Sequence, residues 1–146
     1  IESDFDFGKV TEKSKDNPVF YVQYAYARIN SIFRTIKLKI NSNLKISNEE
    51  FQLNLHEIQI LKKISEWPKC VELSSARLEP HRISYYLYDL ATLFHAYWNL
   101  GSTNKDYRFV TGNKATNNSK LLLLKALSIV IANGMNLLGV STPQKM

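Results

Sequence analysis

Three side chains near the start of the chain, Tyr21, Tyr24 and Arg28, carry the clearest chemistry in the sequence. They lie in the run YVQYAYAR at spacing i, i+3, i+7. In a helix, at about 100° per residue, they fall within an arc of roughly 60°. Such an edge suits an unstacked nucleobase. The rings offer stacking surface, and the guanidinium offers donors to a base edge or a phosphate. A packed aromatic flank with Arg28 in a salt bridge fits the same spacing equally well. The remaining chemistry is sparse. There is no Gly-rich phosphate loop, no HExxH and no cysteine pair, and His56, His81 and His95 lack metal-ligand spacing, so neither a catalytic nor a metal site is expected. His95 sits among apolar positions and reads as a structural histidine, Cys70 as a small buried hydrophobe, and Ser74-Ser75 as helix surface.

A helical framework must place these residues. Glycine (5) and proline (4) are scarce among 146 residues, which favours helices over a β-sandwich. Residues 1–16 are polar and read as an arm or linker. Asn17-Pro18 is a helix start, with asparagine as cap and proline in the first turn. That helix is expected to reach about Arg34, with Val22, Ala25, Ile29, Ile32 and Phe33 inward. Residues 35–47 read as a basic loop. A second helix is expected over Asn54 to Glu66, with Leu55, Ile58, Leu61 and Ile64 inward, and a third over Pro68 to Leu78. Glu79-Pro80 breaks the pattern and opens a long helix to Leu100, closed by Gly101. Tyr97, near its end, is a candidate for an exposed aromatic edge. Residues 102–118 read as a polar loop. A last helix should run from Asn118 or Ser119 to Leu138, closed by Gly139; apolar nearly all round, it is expected to be the central, most buried one. The expectation is an all-α bundle of about five helices over residues 17–146.

Charge is unevenly spread. The formal net charge is +6, yet residues 1–16 hold five acids against three lysines. From Asn17 to Asn48 there is no acid, against Arg28, Arg34, Lys37, Lys39 and Lys45. This surplus suits a polyanion, and Arg34, Lys37 and Lys39 are the expected phosphate contacts. The opening IESDFDFGK lacks a basic start followed by an apolar stretch, so no signal peptide is expected. Leu121 to Val140 contains Lys125, Asn133 and Asn136, which fits a buried helix better than a membrane span. One cysteine excludes an intramolecular disulfide, and a cytoplasmic monomer is expected.

The segment NPVFYVQYAYARINSIFR (Asn17 to Arg34) resembles the opening of the all-helical, DALR-type anticodon-binding domain of arginyl-tRNA synthetases. There the helix commonly reads close to NPVxYVQYAHARI, and Tyr26 stands where histidine is frequent. The ending LLLLKALSIVIANGMNLLGVSTPQKM resembles the family's leucine-rich helix and LGxSxPxxM terminus, with Lys145 in place of the usual arginine. ISYYLYDLATLFHAYWNL is similar to its long helix. The resemblance implies that the chain receives the anticodon loop of an arginine tRNA. Tyr21, Tyr24, Arg28, Tyr97 and Met146 would form a pocket for the middle cytosine. It also implies a catalytic domain in cis that binds ATP and magnesium through HIGH-like and KMSK-like signatures, which are absent here; residues 1–16 would be the link to it. Two alternatives remain open: an anticodon domain of a cysteinyl or methionyl enzyme, and a helical protein-interaction module whose basic surplus is incidental.

Overall fold

A computed structural model describes residues 17–48 and 51–146; the expected arm at residues 1–16 lies outside them. The described residues form five α-helices: α1 (Pro18–Thr35), α2 (Leu55–Ser65), α3 (Trp67–Ala76), α4 (His81–Thr103) and α5 (Asn118–Leu137). A 3-10 turn (Lys105–Tyr107) and a two-stranded antiparallel ladder, β1 (Val110–Thr111) and β2 (Lys114–Ala115), join α4 to α5.

Local signals set the helix starts. The Asn17 side chain accepts from the amides of Val19 and Phe20 at 3.0 and 3.3 Å, and Pro18 fills a position whose missing N–H costs nothing. At α2 a capping box closes: Asn54 accepts from the Glu57 amide at 2.9 Å, while Glu57 accepts from the Asn54 amide at 3.0 Å. α5 ends where Gly139 adopts a φ of 71°. The Gly139 amide then reaches Asn136 O at 3.0 Å and the Val140 amide reaches Met135 O at 2.9 Å, a Schellman closure.

The inward stripe of α1 is the expected one, with Val22, Ala25, Ile29, Ile32 and Phe33 all buried. Four other expectations are corrected. The central helix is α4, which touches α1, α2, α3 and α5, whereas α5 is the richest in buried residues, as expected, yet leaves Ile129 and Leu137 half exposed. Even so, α5, the one helix among the described residues long and apolar enough for a bilayer, is largely buried in the fold. On α2 the expected stripe is rotated: Leu55 and Leu61 are exposed, while Glu57 and Ile60 are buried. Glu57 is drawn inward because Lys120 of α5 lies beneath it, Nζ 3.4 Å from Oε2. Gly101 does not end α4. It is buried within the last turn, where an added Cβ would meet Arg108 Cγ at 3.2 Å, so glycine here permits a close approach. Finally, the polar stretch 102–118 carries Phe109 into the core against Phe94 and Tyr97.

Smaller findings complete the frame. Ser74 is buried, donating to Glu79 O at 2.8 Å rather than lying on the surface. Half-buried Cys70 donates its thiol to Arg82 O at 3.7 Å, and burial pushes its pKa up. After α1 the chain is irregular through residue 48, as expected, yet Leu38, Ile40 and Leu44 pack on the core. α5 fastens this segment, with Asn118 donating to Lys45 O at 3.0 Å and Lys125 to Ser42 O at 3.2 Å.

Candidate nucleic-acid interface

With the apolar stripe of α1 turned inward, the next positions round the helix carry Tyr24 and Arg28 to its flank. There they meet α4. The Arg28 guanidinium carbon lies 4.6 Å from the Tyr24 ring centroid and 4.7 Å from that of Trp98. Arg28 Nη2 donates to the Tyr24 hydroxyl at 2.8 Å, and Nη1 donates to His95 Nδ1 at 3.2 Å. The cation thus contacts two aromatic faces, each such contact contributing about 0.5–1 kcal/mol when exposed.

His95 holds this arrangement from below. It is buried, and burial, opposed by the hydrogen bond to Tyr21 and reinforced by the charge on Arg28, lowers its pKa to about 4. The ring is therefore neutral at pH 7. Nδ1 must accept from Arg28, leaving Nε2–H to donate to Tyr21 O at 3.2 Å, which fixes the tautomer. The ring also stacks on Tyr24 at 5.5 Å and lies 4.5 Å from the Tyr21 ring. The expected structural role of His95 thus takes a specific form: it ties α4 to α1 and aims Arg28.

An open cavity of about 470 Å³ lies over the group. Tyr24, Arg28, Ser31 and Arg34 of α1 form one wall, Trp98 of α4 another, and Lys145 and Met146 of the tail a third. Three cationic side chains line it and no acidic side chain does. Among the described residues, no ion pair involves Arg28 or Arg34, so the salt-bridge alternative for Arg28 is not realised there. A second cleft of about 350 Å³ lies beyond Trp98, between the end of α4 and the turn that follows. Arg108, its cation, donates through Nε to Gly101 O at 2.6 Å, satisfying a carbonyl at the end of α4.

The structure therefore brings together Tyr24, Arg28, Arg34 and Met146. Tyr21 sits one layer lower, half buried between His95 and Tyr88. Lys37 and Lys39 are exposed on the segment after α1 and do not line the cavity; Lys37 takes a left-handed φ of 55°. Tyr97, which the resemblance places in the pocket, is a correction: it is 1% exposed, and its hydroxyl accepts from Lys120 Nζ at 2.8 Å and Asn54 Nδ2 at 3.2 Å. Trp98 takes the wall instead, and neither it nor Lys145 is among the expected residues. The signal for Trp98 lay in its spacing: it stands three residues after His95 and so shares that edge of α4.

The comparisons with known proteins agree on the family. The model of the DALR anticodon binding domain matches residues 22–146. The chain belongs to the DALR anticodon-binding domain family. An arginine–tRNA ligase of Pelagibacter ubique (strain HTCC1062) is 56% identical over 146 residues, covering 100% of this chain and 25% of that protein. One from Rhizobium meliloti (strain 1021) is 43% identical over 150 residues, covering 98% and 26%. A crystal structure from Campylobacter jejuni, described as an arginyl-tRNA synthetase, has a TM-score of 0.79 at 25% identity, covering 97% of this chain and 29% of that one. This DALR domain thus spans about a quarter of the length of the curated relatives it matches. The cavity-lining residues from Tyr24 to Met146 all fall inside the family match.

Proposed function

We propose that this DALR domain receives the anticodon stem-loop of an arginine tRNA within an arginine–tRNA ligase acting in the cytoplasm, and that the cavity takes the unstacked middle cytosine. The observation that carries this is a guanidinium held between two aromatic rings at the floor of an open cavity lined by three cationic and no acidic side chains. Stacking surface and donors converge where a base could enter, and the surplus of positive charge favours a polyanion. The incoming base would replace Arg28 against Tyr24 or Trp98. Arg28 would then turn its donors to the acceptors of the cytosine edge, exchanging cation–π contacts for base stacking. Exposed Lys37 and Lys39 would meet the backbone outside the cavity. Arginine activation, with ATP and magnesium, would fall to the remainder of such a ligase.

The test is a titration of an arginine anticodon stem-loop beside one changed at the middle base. The parent loop should bind more tightly, and Tyr24→Ala should weaken it about 5- to 150-fold, since a stacked base contributes roughly 1–3 kcal/mol. Equal affinity for the two loops would refute the pocket assignment.

A further inference from the structure

The chain after α5 does not simply trail from the fold. Val140 packs on the core, and the Schellman closure fixes its direction. Two side chains of α1 then hold the tail by its backbone. Gln23 Nε2 donates to Ser141 O at 2.9 Å, and Arg34 Nη1 donates to Gln144 O at 2.9 Å. Helix geometry explains the pairing. Eleven residues, from 23 to 34, turn the helix three times plus only about 20°, so both donors project along one ridge about 16 Å long. Measured from Gln23, the cavity residues of α1 fan out beside that ridge: Ala27 at about 40°, Ser31 at about 80°, Tyr24 at about 100° and Arg28 at about 140°. A tail running along the ridge must therefore border the cavity, and Lys145 and Met146 do so.

We infer that Gln23 and Arg34 are positioning residues: they clamp the tail to α1 and set Met146 at the rim of the base pocket, so that Arg34 acts on RNA through the tail rather than as a phosphate ligand. Gln23 carries no charge to offer a phosphate, yet it makes the same kind of bond, and holding the tail is the role the two share. Both acceptors are main-chain carbonyls, so the clamp does not depend on which side chains the tail bears. The part concerning RNA rests on the function proposed above; the clamp itself does not.

The experiment therefore has an RNA-free arm and an RNA arm, both with the 146-residue chain. In the first, carboxypeptidase trims the tail. Gln23→Ala and Arg34→Ala should each speed the release of Met146 and Lys145 by roughly 2- to 10-fold, the effect of losing one ordinary hydrogen bond. Unchanged trimming overturns the clamp. In the second arm, each substitution is measured with and without Met146 on the parent stem-loop, across a salt series. Each should weaken binding by roughly 2- to 10-fold with Met146 present and by less than about 2-fold without it, leaving the salt slope unchanged. If Arg34→Ala instead lowers that slope by about 0.7–0.9 and keeps its full effect without Met146, Arg34 is a phosphate ligand and the inference fails. A parent chain that binds the two stem-loops equally would defeat the proposed function, while the trimming rates would still decide the clamp.

Discussion

Tyr97 and Trp98 are consecutive residues of α4, and each meets a cation, but they serve opposite kinds of site. Lys120 Nζ lies 5.5 Å from the Tyr97 ring centroid, and the Arg28 guanidinium 4.7 Å from that of Trp98. Around Tyr97 the chemistry is closed. Lys120 and Glu57 have side-chain exposures of 6% and 2%, and Asn54 and the Tyr97 hydroxyl complete a polar cluster sealed between α2, α4 and α5. Glu57 Oε2 makes no hydrogen bond of its own and relies on the charge of Lys120 3.4 Å away. Around Trp98 the chemistry is open: the cation faces a cavity and has no carboxylate partner among the described residues. The same pair of residue types, aromatic and cation, secures the fold where an acid completes it. Where the acid is missing, it remains available to an anion from outside.

This contrast can be broken first at its closed end. Lys120→Met should destabilise the fold by about 3–5 kcal/mol, because it strands the buried Glu57 charge. Urea unfolding measures this, and a loss below 1 kcal/mol would mean that the cluster is not the closed site it resembles. The next effect is intermediate and depends on pH. His95 has its folded pKa near 4, below its unfolded value near 6.5. The unfolded chain therefore binds more protons between these values. The stability from neutral His95 is complete above about pH 6.5 and lost as pH falls toward 4. The melting temperature should drop across that window. His95→Phe should flatten the drop and cost about 1–3 kcal/mol at pH 7, by removing both hydrogen bonds. The smallest stability effect belongs to the open end: Arg28→Met should cost about 1–2 kcal/mol, the sum of its two cation–π contacts, while abolishing discrimination at the middle base. A thermal melt and a stem-loop titration of the one variant would separate the two effects; a severe melt defect would place Arg28 with Lys120 rather than against it.

Much of this arrangement was legible in the residues. Asn17-Pro18, the stripe from Val22 to Phe33 and the Gly139 stop depend on neighbours within a few positions, and the structure reproduces them. The edge of Tyr24 and Arg28 follows from helical spacing alone. What spacing could not supply was the identity of the facing element. Periodicity assigned Leu55 and Leu61 to the core of α2, but the partner beneath is Lys120, so an acid is buried and the leucines are not. The choice between Tyr97 and Trp98 is a rotation of about 100° on one helix, and Lys120 settles it from 23 residues away. The path of the tail rests on hydrogen bonds spanning 118 and 110 residues, which no local pattern encodes.

Those two spans also set a schedule. One wall of the cavity is complete once the ribosome has made α1, the next once it has made α4, and the rim waits for residues 145 and 146. A nascent chain stopped after Val140 would contain every helix described here and the apolar core they enclose, yet its cavity would lack a side. Made from its amino end, this domain can therefore complete its helices and core before it completes the cavity beside them.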